Sequence, residues 1–194
     1  AEGTDLSGTD WQVANYDDST WAVGEAPFFA GEFPTLPTPS ADGDARVGAD
    51  ISAILARDPA AISYLQCIMF FKGFHATQAQ RVSSIFWKSG DRADRHAALA
   101  IQNRISELWA VDVHPAAEIG GGLLMDHATG IVVGETAVIG DNCTILHAVT
   151  LGGTGKERGD RHPKIGHACV LGAGATILGN IKVGDGATVG SQAV

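Results

Sequence analysis

Aliphatic residues recur every six positions through the second half of the chain. One run consists of Ile165, Leu171, Ile177, Val183 and Val189, and an earlier run with the same spacing consists of Val133, Ile139, Ile145 and Leu151. A helix requires apolar residues three and four positions apart, and a half-buried strand alternates every two positions. A period of six fits neither. It is typical of a parallel β-helix in which each hexapeptide forms one short strand and one turn.

A third group of aliphatic residues extends the period upstream, with an offset of two positions. It consists of Val113, Ile119, Met125 and Ile131. Glycine follows the aliphatic residue in many repeats, at positions 134, 140, 166, 172, 184 and 190. We expect the aliphatic residue to point inward and the small residue to let the chain turn a corner, where bulk or an unfavourable φ would cost free energy. One hexapeptide buries too little apolar surface to fold alone, so we expect stacked coils of three hexapeptides that form a triangular prism.

Residues 1–48 have no hydrophobic period and are rich in Asp, Gly and Pro, which predicts an extended or disordered arm. The arm nevertheless contains the aromatic residues Trp11, Tyr16, Trp21, Phe28, Phe29 and Phe33. Aromatic side chains bury a large apolar area, so they are unusual in a solvated tail. They are expected either to pack against the rest of the chain or to bind another protein.

Residues 49–110 have helical patterns that predict a small α-helical domain. Asp58 and Pro59 resemble an N-cap followed by proline in the first helical turn. A helical face follows over 71–86 with Gly90 as its predicted C-cap, and a second amphipathic helix is predicted over 97–109. The β-helix then occupies residues 111–194, and a loop rich in glycine and charge, residues 152–164, is expected to project from it.

The net charge of −9 argues against a nucleic-acid partner and against binding to an anionic membrane surface. The longest apolar run, residues 67–71, is far too short to span a membrane. The three cysteines are odd in number and form no CxxC pair, which favours a reducing compartment, either the cytoplasm or the interior of an organelle. Cys143 and Cys169 lie inside repeats, so we expect them to be small core or corner residues.

Four short groups contain the candidate chemistry. They are Asp112 with His114, Asp126 with His127, the glycine-rich segment 151–155, and the charged segment 159–164. A histidine beside a carboxylate can act as a general base, because the carboxylate fixes the tautomer and stabilises the imidazolium. An isolated histidine more often only binds a backbone group. Here two histidines beside charged residues flank a glycine-rich loop, which favours a catalytic site.

Several segments closely resemble serine O-acetyltransferase, a family of hexapeptide-repeat acyltransferases. The resemblance rests on residues 126–130 (DHATG), 134–137 (GETA), 149–156 (VTLGGTGK), 159–166 (GDRHPKIG), 111–117 (VDVHPAA), 72–76 (KGFHA) and 57–60 (RDPA). It covers roughly residues 49–194. The family implies a left-handed parallel β-helix and a homotrimer with active sites between neighbouring prisms. It also implies transfer of acetyl from acetyl-CoA to the L-serine hydroxyl, which gives O-acetylserine in the first step of cysteine biosynthesis, in the cytoplasm, a plastid or a mitochondrion.

The resemblance also implies roles for individual residues. His127 would be the general base that takes the serine proton, and Asp112 would be its paired carboxylate. Asp58 and Asp126 would bind the serine ammonium. Two further residues, Arg161 and His162, would bind the serine carboxylate and assist at the reacting centre. The chain would approach CoA closely at Gly152, Gly153, Thr154 and Ala173. No metal is expected, because a thioester is already activated.

Two departures from the family leave alternatives open. Residues 1–48 do not resemble its longer helical amino-terminal domain, and the chain stops at Val194 in the middle of a repeat. We therefore expect either further residues or a protein partner to cover the open C-terminal coil. One alternative function is a non-catalytic subunit or scaffold in a larger assembly. Another is a zinc site of the γ-carbonic anhydrase kind, formed by His127, His162 and His167 across a trimer interface.

Overall fold

The computed structural model describes residues 41–156 and 158–194, in which four helices precede twelve short strands. The first helix, α1, spans Ala41–Arg57. The predicted arm at 1–40 lies outside the described residues. For residues 41–48 the prediction of an extended arm is wrong, because α1 begins at Ala41, ten residues before Ile51, the first buried apolar residue of the helix.

The predicted helix start at Asp58 is also wrong. The backbone N–H of Asp58 donates to Ile54 O (2.8 Å), so Asp58 and Pro59 end α1 instead of beginning a helix. Proline stops the helix there because it has no N–H to donate. The next helix, α2, spans Tyr64–Phe70, and its N-cap is Ser63, whose hydroxyl accepts from the Gln66 N–H.

The other two helices form where the sequence predicts them. The third helix, α3, spans Lys72–Ser89 and ends at Gly90, which adopts a left-handed conformation (φ 79°) that glycine tolerates without strain. The fourth, α4, spans Arg92–Trp109. Its N-cap is Asp91, whose carboxylate accepts from the N–H groups of Ala93 and Asp94. Helices α3 and α4 pack against each other beside the first coil of the β-helix.

Twelve strands form three parallel sheets of four strands each, as the six-residue period predicts. Sheet A contains β1 (Asp112–Val113), β4 (Val132–Val133), β7 (Thr150–Gly152) and β10 (Thr176–Leu178). Sheet B contains β2 (Glu118–Ile119), β5 (Val138–Ile139), β8 (Lys164–Ile165) and β11 (Lys182–Val183). Sheet C contains β3 (Leu124–Met125), β6 (Thr144–Ile145), β9 (Val170–Leu171) and β12 (Thr188–Val189). The chain visits the sheets in the order A, B, C, and the result is a left-handed triangular prism.

Each sheet contributes one column of inward aliphatic side chains to the core. In sheet B, for example, Ile119 pairs with Ile139 and Ile139 with Ile165, all less than a tenth exposed. Cys143 and Cys169 fill corners of the same core, as expected, and their thiols lie 3.1 Å from the backbone carbonyls of the next coil.

The glycines at 134, 140, 166 and 172 are needed for space and not for an unusual φ, whereas those at 184 and 190 have open space where a Cβ would lie. A Cβ at Gly140 would lie 2.7 Å from the carbonyl carbon of Gly166 in the next coil. The left-handed residues lie two positions further along, at Asn142 (φ 60°) and Ala168 (φ 53°). The expectation was therefore right about bulk and wrong about φ at this position.

A buried ion pair fastens the helices to the prism. The carboxylate of Asp50, on α1, accepts from the Arg81 guanidinium (2.8 Å), the Gln78 amide and the backbone N–H of Leu123. Arg81, on α3, also donates to the carbonyl of Gly120. Because one carboxylate joins two helices and a corner of the prism, we infer that it fixes the helices on sheets B and C. Among the described residues, the helices include none with the length and apolarity to cross a membrane.

Candidate functional site

The chain departs from the six-residue period at two places, and both contain candidate catalytic residues. Eight residues instead of six separate Met125 from Val133, and fourteen separate Leu151 from Ile165. The first departure lies on the edge between sheets C and A, here called the C–A corner (residues 126–131, 146–149 and 172–175). The second lies on the edge between sheets A and B, called the A–B corner (residues 114–117, 134–137, 153–156 and 158–163).

His127 protrudes from the C–A corner because the two extra residues lengthen the turn. His127 and Ala128 both adopt left-handed conformations (φ 55°), and the His127 side chain is 74% exposed. Its Nε2 lies 3.7 Å from Oδ1 of Asp126, and its ring contacts the ring of His147 in the next coil. An accessible imidazole beside a carboxylate can accept a proton from a bound hydroxyl.

Asp112, the predicted partner of His127, lies on the outer surface of sheet A. Its Oδ1 accepts from the side-chain amide of Gln102 on α4 (2.7 Å). Among residues 41–156 and 158–194, the carboxylate within 4 Å of the His127 imidazole is that of Asp126. The pairing of His127 with Asp112 therefore stays a prediction.

The A–B corner brings Arg161 beside Glu135. The Arg161 guanidinium donates to the Glu135 carboxylate (2.8 Å) and to the Gly159 carbonyl (3.1 Å). The hydrogen bond from Arg161 lowers the pKa of Glu135 below its ordinary value, so the carboxylate is charged at neutral pH. One guanidinium edge is thus held while the side chain stays about a third exposed, a geometry that suits a bound carboxylate.

His162 is almost fully buried in the same corner, and its ring packs over Gly134, where a Cβ would overlap the imidazole. Its Nδ1 lies 3.1 Å from the backbone nitrogen and 2.9 Å from the hydroxyl of Thr136. Burial, followed by the nearby Arg161 charge, lowers the pKa of His162 below its ordinary value. The imidazole is therefore neutral at pH 7.

His114 is a second imidazole near the A–B corner. Its Nδ1 accepts from the Ala116 N–H (3.0 Å), and its ring contacts the ring of Trp87. Burial lowers the pKa of His114, partly offset by the charge of Glu135. His114 therefore adds a neutral and partly apolar wall beside Glu135.

The four residues predicted to approach CoA fall on two different corners. Gly152, Gly153 and Thr154 begin the long loop of the A–B corner, whereas Ala173 lies on the C–A corner. A Cβ at Gly152 would lie 2.9 Å from the Cδ2 methyl of Leu178, an exposed side chain that can move aside. The loop itself leaves the prism between β7 and β8, as the sequence predicts.

Asp58 lies at the end of α1, where its carboxylate accepts from the Ala60 N–H (2.8 Å). The preceding residue, Arg57, holds this end of the helix against the prism. Its guanidinium donates to the carbonyls of Gly122 and Asn142 and to the hydroxyl of Thr144. Asp58 therefore lies near the edge between sheets B and C, whereas His127 lies at the other edge of sheet C.

Within one chain the candidate residues form two separate halves. Asp126 and His127 lie on the C–A corner, and Arg161 and His162 lie on the A–B corner. Sheet A separates the two corners, and an extended residue spans about 3.3 Å, so the five residues 131–135 place them about 16 Å apart. One chain does not bring the proposed base into contact with the proposed carboxylate-binding pair.

Sequence reasoning missed four residues that contact the candidates: Gln102, Glu135, Thr136 and His147. The six-residue register could have indicated three of them. Residues 135 and 136 follow β4 and residues 161 and 162 precede β8, so both pairs lie at the A–B corner. Residue 147 lies at the C–A corner, one coil after residue 127. Gln102 lies on a helix, and the period gives no information about which strand that helix covers.

Residues 41–156 and 158–194 contain no group of three or more His, Cys, Asp or Glu side chains that could hold a metal ion. His167, one of the residues of the zinc alternative, has its Nδ1 3.0 Å from the Asp141 nitrogen and 3.3 Å from the Asp141 carboxylate. It lies on the edge between sheets B and C, away from both His127 and His162.

Comparisons with known proteins agree with this architecture. The family profile "Serine acetyltransferase, N-terminal" matches residues 38–79, and the profile "Bacterial transferase hexapeptide (six repeats)" matches residues 162–194. A serine acetyltransferase 1 of Arabidopsis thaliana, named as chloroplastic, is 59% identical over 134 residues, which cover 69% of this chain and 42% of that protein.

Two solved structures are similar over most of the chain. Soybean serine acetyltransferase complexed with serine superposes with a TM-score of 0.76 at 56% identity, covering 80% of this chain and 63% of that one. The serine acetyltransferase of Brucella abortus strain S19 in complex with coenzyme A superposes with a TM-score of 0.75 at 48% identity, covering 78% of this chain and 59% of that one. The chain thus spans 42% of the Arabidopsis relative's length.

Proposed function

Because the chain belongs to the serine acetyltransferase family, we propose that it transfers an acetyl group from acetyl-CoA to the hydroxyl of L-serine. The products are O-acetylserine and CoA, and O-acetylserine supplies cysteine biosynthesis. The observation that carries the proposal is the A–B corner, where a held guanidinium lies beside a neutral imidazole. This pair suits the carboxylate of an amino acid.

The charges of serine match the candidate residues. Serine is a zwitterion, so its ammonium requires carboxylates and its carboxylate requires a guanidinium. In this proposal Asp58 and Asp126 bind the ammonium, and Arg161 and His162 bind the carboxylate. His127 then faces the hydroxyl. The soybean relative was solved with serine, which supports the same substrate for this chain.

The reaction proceeds by attack of the serine hydroxyl on the thioester. His127 accepts the hydroxyl proton while the oxygen forms a bond to the acetyl carbonyl carbon, and Asp112 stabilises the imidazolium. The carbon–sulfur bond then breaks, and the sulfur of CoA takes the proton back from His127. Gly152, Gly153, Thr154 and Ala173 line the path of CoA, where small side chains allow close approach. No metal takes part, since the thioester is already activated.

The two halves of the site act together only if two copies of the chain contribute to it. We propose a homotrimer in which the C–A corner of one copy faces the A–B corner of the next. Such an arrangement would place His127 of one copy near Arg161 and His162 of the other. We place the enzyme in the cytoplasm or inside an organelle, and the chloroplastic name of the Arabidopsis relative supports the second.

Mixing two impaired variants, at a serine concentration far below the KM of Arg161→Ala, tests the proposal. His127→Ala and Arg161→Ala each remove one half of the site. If the site lies between copies, subunit exchange at equal amounts restores about a quarter of the sites in a closed ring, because one neighbour must supply each intact half. Thiol release from acetyl-CoA in the presence of L-serine measures the activity.

Two outcomes contradict the proposal. Absence of recovery, with exchange verified by mass spectrometry, would place the site within one chain. No thiol release from the folded, unaltered chain with bound CoA would favour the alternative of a non-catalytic subunit in a larger assembly. The corresponding control mixes either impaired variant with His96→Ala, which changes an exposed residue of α4.

A further inference from the structure

Thr136 makes the hydrogen bonds that determine which nitrogen of His162 carries the proton. The backbone N–H of Thr136 points at His162 Nδ1 over 3.1 Å. A backbone N–H can only donate, so Nδ1 must be the unprotonated, accepting nitrogen. In a neutral imidazole the proton is then on Nε2.

The Thr136 hydroxyl is compatible with the same tautomer. Its oxygen accepts from the backbone N–H groups of Arg161 (3.0 Å) and His162 (3.1 Å). A hydroxyl has two lone pairs and one proton, so both lone pairs are occupied and the proton is left to donate. Two acceptors lie within reach of that proton: His162 Nδ1, 2.9 Å from the oxygen, and the Asp160 carboxylate.

The charges around the ring oppose a second proton. Arg161 and Lys164 are positive, and Lys164 also donates to the Thr136 carbonyl (2.8 Å). Glu135 acts in the opposite direction, but its carboxylate is already bound by Arg161. An imidazolium would also carry a proton on Nδ1, and that proton would face the backbone N–H of Thr136.

We infer that Thr136 is a positioning residue that fixes His162 as a neutral Nε2–H donor, so that His162 binds an anionic oxygen of the substrate and does not act as a base. The role in substrate binding rests on the proposed function, whereas the tautomer does not. Among the hydrogen bonds of the described residues, none involves Nε2, which leaves its proton for a ligand. The single threonine also aligns Arg161 and His162 through their backbone, so both donors keep one geometry.

NMR can identify the tautomer directly, without an activity assay. Long-range 1H–15N correlations of the imidazole rings in the full chain at neutral pH identify the protonated nitrogen, and His162→Ala assigns the signal. We expect a proton on Nε2 and none on Nδ1. A protonated Nδ1, or an imidazolium, would overturn the inference even if the enzyme is active.

Kinetics tests the positioning role. Thr136→Val keeps the shape and the backbone N–H but removes the hydroxyl. It should raise the KM for serine about 2- to 10-fold, because a neutral hydrogen bond contributes about that factor. The KM for acetyl-CoA should not change. Thr136→Ser should restore the KM for serine. Thr188→Val, an exposed threonine of sheet C, is the matched control.

The two kinds of failure remain distinguishable. An unaltered chain that is inert with serine would overturn the proposed function, while the ring signals would still test the tautomer. An active chain in which Thr136→Val and Thr188→Val behave alike would overturn the positioning role. Equal losses for serine and acetyl-CoA in Thr136→Val, not restored by Thr136→Ser, would also overturn it, because they would indicate general damage to the fold.

Discussion

Arg161 and Glu135 form an ion pair over 2.8 Å although 26 residues separate them in the chain. The pair exists because β4 and β8 both border the A–B corner, one ending and the other beginning there. Its side chains are 30% and 39% exposed. A partly exposed pair adds little stability, so its main effect is to direct the guanidinium.

Substitutions of Arg161 and of Glu135 should therefore affect the KM for serine to different extents. Arg161→Ala should raise the KM for serine about 10- to 150-fold, because a charge-assisted contact is worth about 1.5–3 kcal/mol. Glu135→Gln should raise it no more than about 5-fold, the range of an exposed ion pair. Neither should alter the KM for acetyl-CoA. Steady-state kinetics with each substrate varied in turn measures both KM values, and Glu118→Gln on sheet B is the control. Equal effects of Arg161→Ala and Glu135→Gln on the KM for serine would contradict the role of Arg161 in binding the serine carboxylate.

His127 is predicted to carry the proton transfer. His127→Ala should reduce turnover by a factor of about 100 to 10,000, the usual contribution of a general base. The fold should survive, because the side chain is 74% exposed and contributes little to the core. Thiol release and the circular dichroism spectrum measure the two quantities. His96→Ala should leave both unchanged, and a His127→Ala enzyme of normal turnover would rule out this base.

The two carboxylates near His127 should separate in their kinetic effects. Asp112→Asn should lower kcat, because the imidazolium loses its counter-charge. Asp126→Asn should mainly raise the KM for serine, because the ammonium loses a partner. If Asp126→Asn lowers kcat and Asp112→Asn does not, the carboxylate 3.7 Å from His127 is its partner, and the assignments must be exchanged.

The ion pair of Asp50 and Arg81 should dominate the attachment of the helices. The Asp50 side chain is 1% exposed, and Asp50→Ala leaves the Arg81 charge and the Leu123 N–H unpaired. Removing one partner of a buried pair costs about 3–5 kcal/mol. Asp91→Ala, which removes an exposed N-cap, should cost about 1 kcal/mol. Urea unfolding at one chain concentration compares them, and similar losses would show that the buried pair is not an anchor.

Acid should destabilise the fold through His114 and His162. Burial lowers the pKa of both imidazoles in the folded chain. As the pH falls below about 6.5, the ordinary histidine value, the unfolded chain binds protons that the folded chain does not, so the free energy of unfolding decreases. Unfolding at about pH 7.5 and about pH 5.5 tests this, in a window above the carboxylate range. A variant with His114→Gln and His162→Gln should lose part of the difference, whereas His96→Gln should keep it.

Some elements could be predicted from local sequence and others could not. Gly90 ends α3 as expected because a left-handed C-cap is a local requirement. Asp58 did not begin a helix, since the same dipeptide suits either end and the hydrogen bond to Ile54 decides between them. Residues 41–48 are rich in Asp and Gly, yet they are helical as the first turns of α1, in which Val47 packs against the cluster that contains Ile51 and Ile54.

The sequence by itself determined the three-sided prism, because a six-residue period allows one strand and one corner per repeat and stacking buries each aliphatic residue on the next. It also marked the corners that carry candidate chemistry, since the period lengthens between Met125 and Val133 and between Leu151 and Ile165. Only the tertiary structure decided the contacts at those corners. It set Thr136 against His162, Glu135 against Arg161 and Gln102 against Asp112, because coil stacking and helix packing join residues that no local pattern relates. It also placed His127 and His162 on opposite sides of sheet A, a separation that follows from the width of a strand and that motivates a site shared between copies.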